Sequence, residues 1–330
     1  MLRAAIVGLG WWGRTITDRM AASEEMRITR AVDLWPANHA DYSARHGIPV
    51  GASYDEVLAD PAIDAVILCT PNSLHTPQVA AAARAGKHVF CEKPLALNAT
   101  EARASVEICR AHGVQLGIGH ERRFETAMLE IERMVRAGEL GTIMHAEANF
   151  SHDKLINVPP TDWRRRADES PAAGMTAMGI HLSDAFVNLF GAATEVQAQT
   201  AARVLPGENG DVVSALIRFA SGPTAYLNAV LYTPLYLRLA IFGTGAWVEY
   251  RNETHPDTPG PATLTIQRTG AAPEVHRHEW TDSVRANLDL FARAATGRGS
   301  YPFTDVQKIG NIAVLEAIVR SAATGECVRI

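Results

Sequence analysis

The run Ala4-Ala5-Ile6-Val7 is short, wholly apolar and followed at once by Gly8-Leu9-Gly10-Trp11-Trp12-Gly13. A stretch of that length ended by glycine reads as a strand buried on both faces, the kind found inside a parallel sheet. A helical stretch runs from Arg14 to Ala22, so the glycines occupy a strand-to-helix turn. In that position each glycine has a task. Gly8 permits the tight turn, Gly10 lets a pyrophosphate approach the backbone, and Gly13 lets helix and strand pack closely. The helix N-terminus adds free N–H groups and a positive dipole end for phosphate oxygens. Trp11 and Trp12 stand where a dinucleotide would pass, although packing at the helix start accounts for at least one of them.

The second strand, Ile28 to Val32, ends at Asp33, twenty residues after Gly13. A carboxylate there can accept both ribose hydroxyls and repels a 2′-phosphate. It favours NAD over NADP, with NADP left open by Arg30 and Arg45 nearby in the chain. Further βα units follow: a helix at Ala37–His46, another at Tyr54–Ala59, and the strand Ala65–Cys69. Pro71 breaks that strand, and Asn72 is placed to cap a helix running to Ala85. A loop leaving the carboxyl end of a parallel strand borders the cofactor crevice, which makes Thr70, Pro71, Asn72 and His75 cofactor-side candidates. His75 reads as structural or cofactor-adjacent.

The strand His88–Cys91 leads into Glu92-Lys93-Pro94. Pro94 stops the strand, and the bond before it is one that can be cis. A lysine at such a strand end can have its pKa lowered by desolvation, unlike the usual solvated lysine. Lys93 is therefore a candidate proton handler. A last unit, Glu101–His112 then Gln115–Ile118, closes the first domain near Gly119.

At 330 residues the chain is long for one core, and two domains are expected. The net charge of -5, with no long basic run, argues against nucleic acid as the main partner. Cys69, Cys91, Cys109 and Cys327 are scattered without zinc spacing, and free thiols suit a reducing cytoplasm. No apolar run approaches the roughly 18 residues of a membrane span, and the N-terminus opens directly on a strand pattern. A cytoplasmic protein that binds no membrane is expected.

Several further segments complete a pattern: Cys69-Thr70-Pro71-Asn72-Ser73-Leu74-His75, Ala85-Gly86-Lys87-His88-Val89, Glu92-Lys93-Pro94, Gly119-His120-Glu121-Arg122-Arg123-Phe124 and Gly179-Ile180-His181. With the glycine fingerprint, in this order, the chain resembles the glucose–fructose oxidoreductase/inositol dehydrogenase/MocA family, written Gfo/Idh/MocA. The resemblance covers the first domain almost continuously and the start of the second. It implies an α/β fold: an N-terminal Rossmann domain with a doubly wound parallel sheet, then an α+β domain with a large open, mostly antiparallel sheet. It implies NAD or NADP as cofactor, and Lys93 and His181 lining the substrate pocket as the catalytic pair. By position it also places Glu92 on the cofactor side and Arg123 on the substrate side. Many members carry an aspartate four residues before the histidine; here that residue is Ala177. One usual acid/base partner is missing.

The domains expected are 1–119, nucleotide-binding, and 120–330, for substrate and oligomerisation, with C-terminal helices able to pack back on the first. Past Gly119 the pattern becomes a helix at Glu125–Ala137, a strand at Thr142–Phe150 and a long polar segment, Ser151–Pro171. The resemblance brings a tryptophan and a basic residue of this segment near cofactor or substrate, which points to Trp163 and Arg164. Arg165 and Arg166 read as a solvated cluster. His152 and Asp153 read as polar surface rather than as a metal pair, since no spaced partners accompany them, and no metal is expected.

His181 opens a helix to Phe190, and Asp184 sits one turn on, on the same side. It could orient the imidazole or reach substrate itself. Strands follow near Thr194–Ala202, Val212–Phe219, Ala225–Leu231, Leu237–Phe242, Ala246–Tyr250, Ala262–Gln267 and Val275–Trp280, and the helices Ser283–Ala295 and Asp305–Ala323 end the chain. One broad sheet needs its outer face covered, so a homodimer or homotetramer is expected. The reaction expected is hydride transfer between a nicotinamide and a secondary alcohol or ketone of a small sugar, polyol or inositol. Two other readings compete: an enzyme that uses tightly held NAD transiently during sugar elimination or hydrolysis, and a non-catalytic sensor on this fold.

Overall fold

The computed structural model describes residues 1–172, 174–205, 209–255 and 257–330. In chain order they form β1 (Leu2–Val7), α1 (Trp11–Met20), β2 (Met26–Val32), α2 (Ala40–His46), β3 (Val50–Gly51), α3 (Tyr54–Ala59), β4 (Ala65–Leu68), α4 (His75–Arg84), β5 (His88–Cys91), α5 (Ala99–Ala111) and β6 (Leu116–Ile118). Next come α6 (Thr126–Arg136), β7 (Ile143–Ser151), α7 (Ile180–Phe190), β8 (Ala193–Ala201), β9 (Val212–Phe219), β10 (Thr224–Val230) and β11 (Tyr236–Gly243). The chain ends with β12 (Ala246–Asn252), β13 (Ala262–Arg268), β14 (Glu274–His278), α8 (Ser283–Ala295), α9 (Asp305–Thr324) and β15 (Val328–Arg329). Among the described residues no helix is long and apolar enough to cross a membrane.

Two compact units result: Met1–Glu121 with Asp282–Ile309, and Arg122–Thr281 with Gly310–Ile330. The first unit is thus not one continuous stretch; it recovers α8 from late in the chain. Its sheet is fully parallel, in the order β3-β2-β1-β4-β5-β6. The order reverses between β1 and β4, which is where an open α/β sheet leaves a ligand crevice beyond its strand ends. Val7 pairs with Leu68, so the loops that follow β1 and β4 leave the sheet side by side. α8 returns because its Leu288 and Phe291 are fully buried in the core with Ile6, Ile16 and Phe90. Phe291 meets Phe90 edge-on at 5.5 Å between ring centres, a geometry that adds to its area burial. Asn287 Nδ2 also donates to the Ile118 carbonyl at 2.9 Å, at the end of β6.

Several helices start a few residues from where they are expected, and two of these corrections bear on the cofactor side. α1 begins at Trp11 rather than Arg14, because Gly10 takes the N-cap without any side-chain bond. Asn72 does not cap α4; it starts a 3-10 turn, Asn72–Leu74, and α4 begins at His75.

The second unit holds a nine-stranded sheet, in the order β14-β13-β12-β11-β7-β10-β9-β8-β15. Its neighbours pair antiparallel except β7 with β10, which run parallel. Along β10 the buried residues Ala225, Leu227 and Ala229 alternate with partly exposed ones, the period of a strand with one covered face. The covered face is lined by small side chains, Ala146, Ala148, Ala215 and Ala229, all buried, which lets α7 lie close on β7 and β10. Phe186 and Phe190 of α7 pack with Phe219 of β9, the latter pair at 5.4 Å.

Candidate functional site

In the first unit the three fingerprint glycines differ in the space around them. Gly8 has φ +94°, and a Cβ there would lie 2.7 Å from the Cys69 carbonyl oxygen. A Cβ on Gly13 would lie 2.1 Å from the Gly8 carbonyl oxygen. Gly10 has nothing within 4 Å of that position. The turn is therefore closed by protein on two sides and open on the side that starts α1, where free N–H groups and the dipole favour an anion. A dinucleotide pyrophosphate fits this cradle. Trp11 is 56% exposed beside it, and Trp12 is half-buried against the core.

Asp33 braces the same turn. Its Oδ2 accepts from the Leu9 N–H at 2.9 Å, and its Oδ1 accepts from the Trp35 N–H at 3.1 Å. Burial pushes the carboxyl up, but these bonds and His39 bring it below the ordinary aspartate value. His39, which no sequence pattern marks, lies with Nε2 3.1 Å from Asp33 Oδ1 and with Nδ1 2.9 Å from Arg14 Nη2. A guanidinium can only donate, so Nδ1 accepts and the Nε2–H faces Asp33. Three donors on Asp33 leave about one of a carboxylate's four acceptor positions for a ribose hydroxyl.

The loop after β4 is fixed by its own side chains. Thr70 donates to Gln78 Oε1 at 2.6 Å, while Pro71 is half-buried and Asn72 buried. His75 is buried with both ring nitrogens facing backbone carbonyls: Nδ1 is 2.6 Å from Pro94 O and Nε2 is 3.1 Å from Thr70 O. It thereby ties the β4 loop to the segment that carries Lys93. The Lys93–Pro94 peptide is cis, and Lys93 is half-buried. Glu92 before it is buried, and its carboxyl fills the place of a Gly119 side chain: a Cβ there would lie 2.4 Å from Oε1. Burial pushes this carboxyl up to about 7, against the opposing pull of the Trp12 indole and the Lys93 charge.

In the second unit a π-helical turn, Met175–Gly179, runs directly into α7 and carries the half-buried Ala177. Such turns often mark functional positions. His181 follows in the first turn of α7, 7% exposed, with its ring 6.3 Å from that of Phe150 on β7. Arg123 and Asp184 are each other's partner. Nε and Nη2 of the arginine each donate to one carboxylate oxygen at 2.6 Å, and Nη1 donates to Asn188 Oδ1 at 3.1 Å. A cavity of about 10 Å³ among Arg123, His181, Asp184 and Tyr250 has room for about one water.

Arg164 stacks its guanidinium 4.2 Å over the Trp163 ring and donates to Asp162 at 3.1 Å. Two sequence expectations fail here. Arg165 is buried, not solvated, and donates to the Leu155, Ile156 and Val158 carbonyls, which no sheet ladder serves. His152 is buried at the end of β7 rather than on the surface, its ring 5.5 Å from Phe150. His255, which the sequence reading passed over, joins the same Phe150 at 5.7 Å.

Comparison with known proteins fits this division. A family model described as oxidoreductase family, NAD-binding Rossmann fold, matches residues 2–120. A GFO/IDH/MocA C-terminal domain model matches residues 128–249. D-xylose 1-dehydrogenase (NADP(+)) 2 of Haloferax volcanii is 31% identical over 287 residues, covering 86% of this chain and 86% of that protein. Inositol 2-dehydrogenase of Rhizobium meliloti is 28% identical over 335 residues, covering 98% and 97%. The crystal structure of aldose-aldose oxidoreductase from Caulobacter crescentus, complexed with glycerol, superposes with a TM-score of 0.88 at 28% identity, covering 100% of this chain and 99% of that one.

Proposed function

The chain belongs to the Gfo/Idh/MocA oxidoreductase family, and from that premise we propose an NAD-preferring dehydrogenase of neutral sugars, inositols or related polyols. Its first unit is an NAD-binding Rossmann domain, and the chain is an NAD(P)-dependent oxidoreductase acting on CH–OH groups. The observation that carries the cofactor assignment is the open space at Gly10 between two glycines that admit no side chain. Asp33 behind that turn supports NAD, since its charge would repel a 2′-phosphate. One relative is named for NADP(+), so the ratio of NAD to NADP binding reads the Asp33 assignment directly.

Bound nicotinamide supplies the hydride acceptor. The residues of the chain must then handle a hydroxyl proton and the charge that develops on oxygen. His181 is the proton acceptor in this reading, because an imidazole side chain can take and return a proton and is suited to general-base work. Lys93 holds the hydroxyl and stabilises negative charge on its oxygen. Ala177 has no proton to exchange, so no carboxylate supports the histidine from that position. Arg123 and Asp184 fix the first turn of α7 from which His181 projects. Arg164, stacked on Trp163, is the basic residue assigned to the cofactor side.

The test is spectrophotometric. Purified protein with NAD and a panel of inositols, pentoses and hexoses should produce the near-ultraviolet absorbance of NADH. Bound NAD without net NADH on any of them would favour transient redox chemistry instead. A homo-oligomer accords with the second sheet's outer face, where Leu216 and Tyr236 stand 52% and 42% exposed; light scattering in solution reads its size.

A further inference from the structure

The loop after β12 brings a second acid–base pair to the cluster that holds His181. His255 Nδ1 lies 2.6 Å from Asp257 Oδ1, and the two side chains are 15% and 11% exposed. Lys154 Nζ donates to the same carboxylate at 2.7 Å. Asp257 is thus held as an anion by an ammonium on one side and an imidazole N–H on the other, well below the ordinary aspartate value. The carboxylate can only accept, and its 2.6 Å contact outweighs the 3.4 Å approach of the Asp257 N–H to the same nitrogen, so Nδ1 carries the hydrogen and Nε2 presents its lone pair. Among the described residues His255 Nε2 makes no hydrogen bond.

The surroundings keep this ring neutral. Burial is the main cause, the charges of Lys154 and Arg122 add to it, and Asp257 opposes them. The ring packs at 5.0 Å against His152 and at 5.7 Å against Phe150. Phe150 is also the ring that His181 packs against, at 6.3 Å. One aromatic side chain therefore gathers the candidate base and an imidazole whose open nitrogen can only accept.

The geometry points to His255, oriented by Asp257, as a hydroxyl-recognition residue beside His181 on the shared Phe150 ring, one that accepts from a hydroxyl of a polyhydroxylated substrate. The inference rests on the reading of His181 as a substrate-side residue. A lone pair whose ring is backed by a carboxylate accepts from O–H donors, so losing it should weaken binding of a polyol. The contact is to a hydroxyl other than the one oxidised, and His255 takes no part in the hydride or proton step.

The test combines kinetics with histidine side-chain nitrogen NMR of the full chain. The His255 signal is assigned by its loss in His255→Gln, and polyol binding is followed in His181→Ala, where turnover is blocked. If polyols reduce NAD, His255→Gln and Asp257→Asn should each raise KM about tenfold, the worth of one hydrogen bond, with kcat within about threefold. An unchanged KM in both variants would overturn the inference and leave the dehydrogenase reading intact. If no polyol yields NADH but polyols shift the His255 Nε2 signal, the recognition site stands and the oxidation reading falls. No NADH and no shift would overturn both.

Discussion

Each carboxylate oxygen of Asp184 accepts one hydrogen bond from the Arg123 guanidinium, at 2.6 Å, and the two side chains are only 4% and 5% exposed. Breaking a buried ion pair by removing one partner leaves the other charge stranded, which typically costs about 3–5 kcal/mol. Arg123→Ala should therefore lower unfolding stability by roughly 3 kcal/mol, and Arg123→Leu with Asp184→Leu should recover part of that loss. Urea unfolding of the two variants checks both statements. An unmoved midpoint for Arg123→Ala would show that the pair contributes nothing to the fold.

The fingerprint glycines separate folding from binding. Gly13→Ala forces a Cβ to within 2.1 Å of a backbone oxygen, so it should destabilise by at least about 2 kcal/mol. Gly10→Ala meets open space at φ −64°, so its Tm should hold within about 2 °C while NAD affinity drops about tenfold or more. Thermal melts with NAD titration distinguish the pair. Equal melting losses in both variants would mean that the space beside Gly10 is not reserved for a ligand.

Glu92 makes stability fall as pH rises in the cofactor-free protein. Its folded carboxyl titrates at about 7 against an ordinary 4.5, so between those values the folded chain keeps a proton that the unfolded chain has lost. Stability then declines across that window, by roughly 3 kcal/mol in total, and is level above it. Glu92→Gln should remove the slope and be more stable than the parent above pH 7. Parallel slopes in urea unfolding at several pH values would contradict this account of the buried carboxyl.

Removing the charge at Asp33 should relax cofactor choice. Asp33→Asn keeps one acceptor oxygen but no longer repels a 2′-phosphate, so NAD binding should weaken about tenfold and NADP binding should improve. Direct titration of both dinucleotides reads the ratio, and a ratio equal to the parent's would move the selector elsewhere.

Legibility from sequence followed the local strength of the signal. The helices Tyr54–Ala59 and Ser283–Ala295 are readable to the residue, because Ser53 and Asp282 cap them with side chains. The start of α1 is not, since Gly10 caps it with backbone alone. The π-helical turn before His181 has no pattern of its own; it depends on packing so close that a Cβ on Gly179 would lie 2.8 Å from Met175 Sδ. Arg165 reads from sequence, with Arg166, as one of a solvated pair, and only the fold shows the loop carbonyls it serves. His255 and Asp257 sit in a loop without periodicity, and the two-residue spacing that lets the carboxylate fold back on the ring was the sole available hint. The glycine turn and the Glu92-Lys93-Pro94 segment were legible because each demands particular residue types at fixed places.

Lys93 is the residue we propose to serve oxidation of a neutral polyol by NAD. The most direct test of that role is NADH formation by the parent chain and by Lys93→Ala, under saturating NAD, across inositols, pentoses and hexoses. The account predicts turnover in the parent and a loss of at least about a hundredfold in kcat for Lys93→Ala, with NAD still bound. Equal turnover in both proteins would contradict it.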